Sequence, residues 1–165
     1  MPVAAIIGGG VIGSGWAARF LLNGWDVRYF DPGPGADEAL ARTLEKARRW
    51  VPEVYDGLPP EGQLEIVQTL EAAVAGADWV QESTPERLPV KHQVLEAIQA
   101  ACPETAVIGS STSGFMPSEL QAQSQRPEQI LVTHPYNPVY LLPIVECVPS
   151  PATSAQIQAK AMATL

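Results

Sequence analysis

Cysteine is nearly absent from this chain: Cys102 and Cys147 are the only two in 165 residues. They fall in different apolar settings with no metal-ligand spacing around them, so both read as reduced thiols and no metal site is expected. Long apolar runs are also missing. The N-terminal run is too short to span a membrane and follows no charged segment, so neither a targeting signal nor a membrane partner is expected. Basic residues are scarce, ten against eighteen acidic ones, for a net charge of −8. That balance argues against nucleic acid or an anionic membrane as a partner. An acidic field is compatible with a cationic substrate. No internal repeat or low-complexity segment breaks the chain. A cytoplasmic enzyme fits these absences.

What is present is concentrated near the N-terminus. An apolar run, Val3 to Ile7, leads into Gly8-Gly9-Gly10-Val11-Ile12-Gly13, an amphipathic stretch follows, and a β-rich run from Val27 to Phe30 ends at Asp31. G-x-G-x-x-G alone is a weak pattern. Here it opens a helix directly after a strand, with an acid at the end of the next strand, which makes it a dinucleotide-binding fingerprint. Gly8 permits the tight turn, Gly10 lets backbone approach a pyrophosphate, and Gly13 lets helix and strand pack closely. The pyrophosphate would rest on helix N-terminal N–H groups, so Val11 and Ile12 join the glycines as expected cofactor contacts. Asp31 would accept from the ribose hydroxyls and repel a 2′-phosphate. Pro32-Gly33-Pro34-Gly35 offers no cation to hold that phosphate, so NAD is preferred over NADP. Asp31 also suits turn initiation before Pro32, and the two roles coexist.

The length suits one domain with a core of its own. Ala17, Phe20, Leu21 and Gly24 recur at the spacing of a buried helix face in a helix that starts near Gly13. A charged helix is expected over roughly Ala36 to Trp50, then a Pro-interrupted loop to about Gly62. Further strands are expected at Ile66 to Leu70, Trp79 to Glu82, Ala106 to Gly109, Ile130 to Thr133 and Ile144 to Val148. Val90, Val94, Leu95 and Ile98 mark a helix closed by Pro103. Strands alternating with helices imply an α/β fold of the Rossmann type, a doubly wound, mostly parallel sheet with helices on both faces. Ser154 would cap a last helix in which Ile157, Ala161 and Leu165 recur. No stop signal follows it, and the expectation is a chain cut within a longer protein.

Two blocks resist a purely structural reading: Gly109-Ser110-Ser111-Thr112-Ser113-Gly114 and Val132-Thr133-His134-Pro135-Tyr136-Asn137-Pro138. Each lies just past an expected strand, where doubly wound folds place their sites. Histidine suits proton removal from an alcohol near neutral pH, and such a base needs an acidic partner. Glu146 stands among Leu142, Ile144, Val145 and Val148, where an unpartnered carboxylate would be costly to bury. From these residues alone, a structural histidine and a solvent-facing glutamate stay open.

With those blocks in place, the chain resembles the 3-hydroxyacyl-CoA dehydrogenase superfamily along essentially its whole length. The glycine loop matches Gly8-x-Gly10-x-x-Gly13-x-Gly15, and the acidic ribose ligand matches Asp31. The nicotinamide-side motif matches Glu82-Ser83-Thr84-Pro85-Glu86 and Lys91. The resemblance implies an NAD-linked oxidation of a 3-hydroxy group. It assigns cofactor contacts to Glu86 and Lys91, and catalytic or substrate contacts to Ser113, His134, Asn137 and Glu146. It further implies a C-terminal helical domain, absent from this chain, that completes the pocket and forms a homodimer. The isolated chain would then bind NAD but turn over poorly. Pro32 to Leu40 holds Asp37 and Glu38 where acyl-CoA enzymes tend to carry lysines, so a small hydroxy acid is the expected substrate. Arg42, Lys46, Arg48 and Arg49 read as a solvated helix surface. An NAD-binding module with a structural role, as a recruited crystallin would have, is the alternative of another class. On the two-domain reading, Phe115, Met116, Tyr136, Tyr140, Leu141 and Leu142, with the stripe Ile157, Ala161, Leu165, should form an uncovered apolar face. The acid at position 31 gives a direct test: fluorescence titration should show tighter binding of NADH than of NADPH, and equal affinities would remove Asp31 from its role.

Overall fold

The computed structural model describes all residues, 1–165. Seven strands form one sheet: β1 Val3–Ile7, β2 Asp26–Phe30, β3 Leu64–Ile66, β4 Trp79–Glu82, β5 Val107–Ser110, β6 Ile130–Pro135 and β7 Val145–Val148. Their order is β3-β2-β1-β4-β5-β6-β7. The first six run parallel, and β7 pairs antiparallel with β6. The chain winds outward from β1 to β3, then returns to β4 on the other side. That reversal opens a crevice beyond the carboxyl ends of β1 and β4, where such sheets bind ligands.

Alternation along the strands feeds two apolar layers. Ala4, Ile6, Trp79, Val107 and Leu131 face one way, against Trp16 and Phe20 of α1 (Val11–Leu22) and Leu40 and Leu44 of α2 (Ala36–Trp50). Ala5, Ile7, Val80, Ile108 and Ile130 face the other way, against Val74 of α3 (Leu70–Val74), Leu95 and Ile98 of α4 (Leu88–Ala101) and Leu120 of α5 (Pro117–Gln121). Burial on both sides explains why the central strands read as continuous apolar runs.

Two expectations change, and one helix was not foreseen. The third strand is Leu64–Ile66, not Ile66 to Leu70. Thr69 caps a helix there, its Oγ1 accepting from the Ala72 N–H at 3.1 Å, and Leu70 begins that helix. The short helix α5 has little apolar periodicity to announce it; Glu119 reaches back to the Met116 N–H at 2.7 Å. The stripe on α6 (Ala155–Thr164) is not bare. Ser154 caps that helix through the Ile157 N–H at 3.2 Å. Ile157 and Ala161 are 5% and 0% exposed within the α1-side core, and Leu165 packs against them.

Phe115, Tyr140, Leu141 and Leu142 are half-buried as well. Of the expected uncovered face, Met116 and Tyr136 are exposed, and Ile144 and Val148 join them. No helix is long and apolar enough to cross a membrane. Because Ile157 is core, Ile157→Ala is expected to cost about 2–5 kcal/mol, read from the urea midpoint; a surface residue would cost almost nothing.

Candidate active site

The turn between β1 and α1 is shaped by what cannot fit in it. Gly8 adopts φ +96°, and a Cβ there would lie 2.6 Å from the Ser83 carbonyl oxygen. A Cβ on Gly13 would lie 1.8 Å from the Gly8 carbonyl oxygen. Gly9 is constrained too, although the fingerprint leaves that position free: the Tyr29 hydroxyl would sit 1.9 Å from its Cβ. That hydroxyl donates to the Gly9 carbonyl at 3.0 Å. Gly10 differs, because nothing lies within 4 Å of where its Cβ would be. Its missing side chain leaves open space in front of α1. The first turn there carries no side-chain cap and no acid. Val11, Ile12 and Gly13 thus present a helix N-terminus suited to a pyrophosphate.

From this turn a cleft of about 600 Å³ runs past Ile7, Phe30, Asp31, Pro32, Leu70, Val90 and Val94. The Asp31 carboxylate accepts from the Gly33 N–H at 2.6 Å and from the Gly9 N–H. Next to it lies a second hollow whose charged residues are Asp31, Asp37 and Glu38, with no Lys or Arg among its lining. An open cradle, an uncapped helix terminus and a carboxylate rim without cations fit NAD and disfavour a 2′-phosphate.

The other end of the cleft is braced by a buried hub. Glu82 and Ser110 face each other across β4 and β5. The Glu82 carboxylate, fully buried, accepts from Ser110 Oγ at 2.5 Å, Thr84 N at 2.7 Å, Thr84 Oγ1 at 2.7 Å and Lys91 Nζ at 2.9 Å. Lys91 also donates to the Thr84 carbonyl at 3.2 Å and lies 3.4 Å from Glu86. Its side chain is 1% exposed. An ammonium has three hydrogens, and these acceptors occupy them. In this arrangement Lys91 also supports Glu86 from below.

Glu86 itself ties the loop after β4 to the loop after β5. Its Oε1 accepts from Thr112 Oγ1 at 2.5 Å, Ser113 N at 3.1 Å and Gly114 N at 3.0 Å. Burial alone would raise this carboxyl, but the bonds from Thr112, Gly114 and Ser113 and the Lys91 charge hold it below the ordinary 4.5.

His134 and Glu146 stand directly opposite in the β6–β7 ladder. His134 Nδ1 lies 2.8 Å from Glu146 Oε2, and the side chains are 30% and 54% exposed. Tyr136, two residues on, donates its hydroxyl to Glu146 Oε1 at 3.2 Å, with its ring centroid 5.9 Å from the imidazole. The carboxylate raises the Tyr136 pKa through its charge and this bond. The bond from Tyr136 to Glu146 was not anticipated from the sequence; a tyrosine two positions from a strand histidine was the available signal. Ser113 and Asn137 are exposed, and no hydrogen bond joins either to His134. The turn carrying Asn137 has a cis bond to Pro138. It is anchored by Arg19, which donates to the Val139 and Leu142 carbonyls at 3.3 and 3.1 Å, and by Tyr55, which donates to Leu141 at 2.6 Å. Burial lowers the Arg19 pKa.

Fold and cleft together define a dinucleotide-binding domain of the Rossmann kind. Residues 3–165 match the family model described as 3-hydroxyacyl-CoA dehydrogenase, NAD binding domain. The chain belongs to that family. It is 59% identical over 158 residues to an L-carnitine dehydrogenase/betainyl-CoA thioesterase of Ruegeria pomeroyi, covering 95% of this chain and 32% of that protein. It is 54% identical to an L-carnitine dehydrogenase of Mesorhizobium japonicum, covering 88% of this chain and 40% of the relative. An L-carnitine dehydrogenase of Pseudomonas putida is 48% identical over 92% of this chain and 48% of its own length. The chain thus spans about a third to a half of the curated relatives it matches. Among solved structures, a 5-formyl-3-hydroxy-2-methylpyridine 4-carboxylic acid 5-dehydrogenase, described as an NAD+-dependent dismutase, matches at TM-score 0.91 and 30% identity, over 99% of this chain and 53% of that one. The 3-hydroxybutyryl-CoA dehydrogenase of Escherichia coli K12 matches at TM-score 0.83 and 25% identity, over 97% and 34%.

The depressed Glu86 carboxyl has a signed consequence. Its stabilising contribution is complete above the ordinary value of 4.5 and is lost as pH falls through the lower folded value. Glu86→Gln should therefore lower the urea midpoint near neutral pH, with the gap to wild type closing well below 4.5. A gap independent of pH would contradict the ionised, hydrogen-bonded Glu86 described above.

Proposed function

We propose that this chain, residues 1–165, is the NAD-binding portion of a dehydrogenase that oxidises the 3-hydroxy group of a small hydroxy acid, L-carnitine giving 3-dehydrocarnitine. The observation that carries this reading is the His134–Glu146 pair, held in register across a strand ladder at the carboxyl edge of the sheet that also forms the dinucleotide cleft. With its Nδ1–H given to Glu146, neutral His134 presents a lone pair on Nε2. That nitrogen removes the hydroxyl proton, and Glu146 stabilises the resulting cation. Ser113 and Asn137 hydrogen-bond to the substrate oxygen or to the carboxamide of the cofactor. Gly8, Gly10, Val11, Ile12, Gly13 and Asp31 hold the cofactor, with Glu86 and Lys91 at its nicotinamide end. Bound NAD supplies the hydride acceptor.

The substrate assignment is supported by the names of the relatives and by charge. A net −8 and the exposed ring of Tyr136 beside Glu146 suit a quaternary ammonium, which aromatic faces attract. The rival substrates are L-gulonate and a 3-hydroxyacyl-CoA. Asp37 and Glu38 beside the ribose site disfavour the phosphates of coenzyme A. The rest of the pocket would come from a helical domain that also makes a homodimer, in a cytoplasmic enzyme with no nucleic acid or membrane partner. A purely structural NAD-binding module would need no aligned histidine–glutamate pair.

The intact polypeptide, assayed for NAD reduction with L-carnitine, L-gulonate and a 3-hydroxyacyl-CoA in parallel, tests the substrate: turnover of either rival without L-carnitine overturns the assignment. His134→Ala should lower kcat about 10²–10⁴-fold while leaving the NADH Kd unchanged. An unaltered kcat would remove His134 as the base.

A further inference from the structure

Beneath the cleft floor, four side chains form a hydrogen-bond relay whose direction cannot be reversed. An indole N–H only donates. Trp79 Nε1 donates to Gln81 Oε1 at 3.0 Å, which fixes the amide and turns its Nε2 toward Ser111 Oγ at 2.8 Å and Thr133 Oγ1 at 3.0 Å. Trp16 Nε1 donates to the same Ser111 Oγ at 3.2 Å. A hydroxyl has two lone pairs and one proton, so both lone pairs of Ser111 are filled. Its proton goes to the neighbour that remains, Ser83 Oγ at 2.8 Å. Ser83 is thereby an acceptor toward Ser111, and its own proton must point elsewhere. No protein group receives it. Ser83 lines the cleft, pressed against the glycine turn.

We propose that Ser83 is a cofactor-binding residue whose hydroxyl donates a hydrogen bond to an oxygen of the bound dinucleotide, on the nicotinamide side of the glycine turn. The side follows from topology: Asp31 follows β2 and Ser83 follows β4, on opposite flanks of β1. The acceptor is a pyrophosphate, ribose or carboxamide oxygen. The relay sets the donor direction before the ligand arrives, so no hydroxyl rotor has to be reoriented on binding. This inference rests on the NAD-binding reading.

The test is NADH titration of Ser83→Ala by cofactor fluorescence, with ADP-ribose and AMP titrated by calorimetry. One lost hydrogen bond predicts NADH binding weakened about 2- to 12-fold. ADP-ribose weakens equally if the acceptor is a phosphate or ribose oxygen, and is unaffected if it is the carboxamide; both results support the proposal. AMP affinity should not change. Ser111→Ala releases the orientation of Ser83 and should also weaken NADH, and the double variant should be no worse than Ser83→Ala alone. An unchanged NADH Kd in Ser83→Ala, equal weakening of AMP, or additive losses in the double variant would overturn it. Wild type that fails to bind NADH would instead sink the NAD reading, and this inference with it.

Discussion

The contact between the glycine turn and the end of β4 sets the geometry of everything else. Gly8 meets the Ser83 carbonyl and Gly13 meets the Gly8 carbonyl at separations no Cβ allows. Because helix, turn and strand close to that distance, Trp16 on α1 reaches Ser111 beyond β5. Two residues beyond Gly13, Gly15 leaves room for Val139, whose side chain would lie 2.8 Å from a Cβ there. The segment after β6 therefore rests on α1, and Arg19 of the same helix fastens its carbonyls. A helix lifted from the sheet by one methyl group would loosen cofactor cradle and histidine turn together.

Charge is distributed to match. The cleft has a carboxylate rim at its Asp31 end and, at its other end, an ion pair sealed from water and bonded on every side. No buried side-chain nitrogen or oxygen lacks a partner. Removing one member of such a pair strands the other in low dielectric, at a cost of about 3–5 kcal/mol. The Glu82–Lys91 pair thus constrains the loops it joins more than it adds to stability, a hypothesis in keeping with its position between two strand ends and a helix.

Much of this was legible in the residues. The strand–turn–helix with its acid, the charged helix and the strands at β4 to β7 follow from period and punctuation. Asp31, His134 and Glu146 stand out because ionisable groups at strand ends or inside apolar runs need a reason. Other features depend on partners remote in the chain. Gly9 is constrained because Tyr29, twenty residues on, sends its hydroxyl into the turn and Asp31 stands beside it. Lys91 is spaced like a ligand, yet Glu82 draws it inward. The α6 stripe reads as a docking face until the packing of α6 against the α1-side core is known. In each case local pattern identified a residue under constraint, and tertiary packing decided what constrained it.

The antiparallel β6–β7 ladder acts as a ruler for the His134–Glu146 pair. His134 meets Glu146 because the ladder pairs them, with Thr133 opposite Cys147 and Pro135 opposite Val145 on either side. The connecting turn does not set that distance. Residues added or lost between Pro138 and Pro143 would change the length of the turn without moving Glu146 from His134. A shift of one residue within β7 would carry Glu146 to the opposite face of the sheet. The spacing of the pair therefore belongs to the two strands, and the turn is held separately, by α1 and Tyr55.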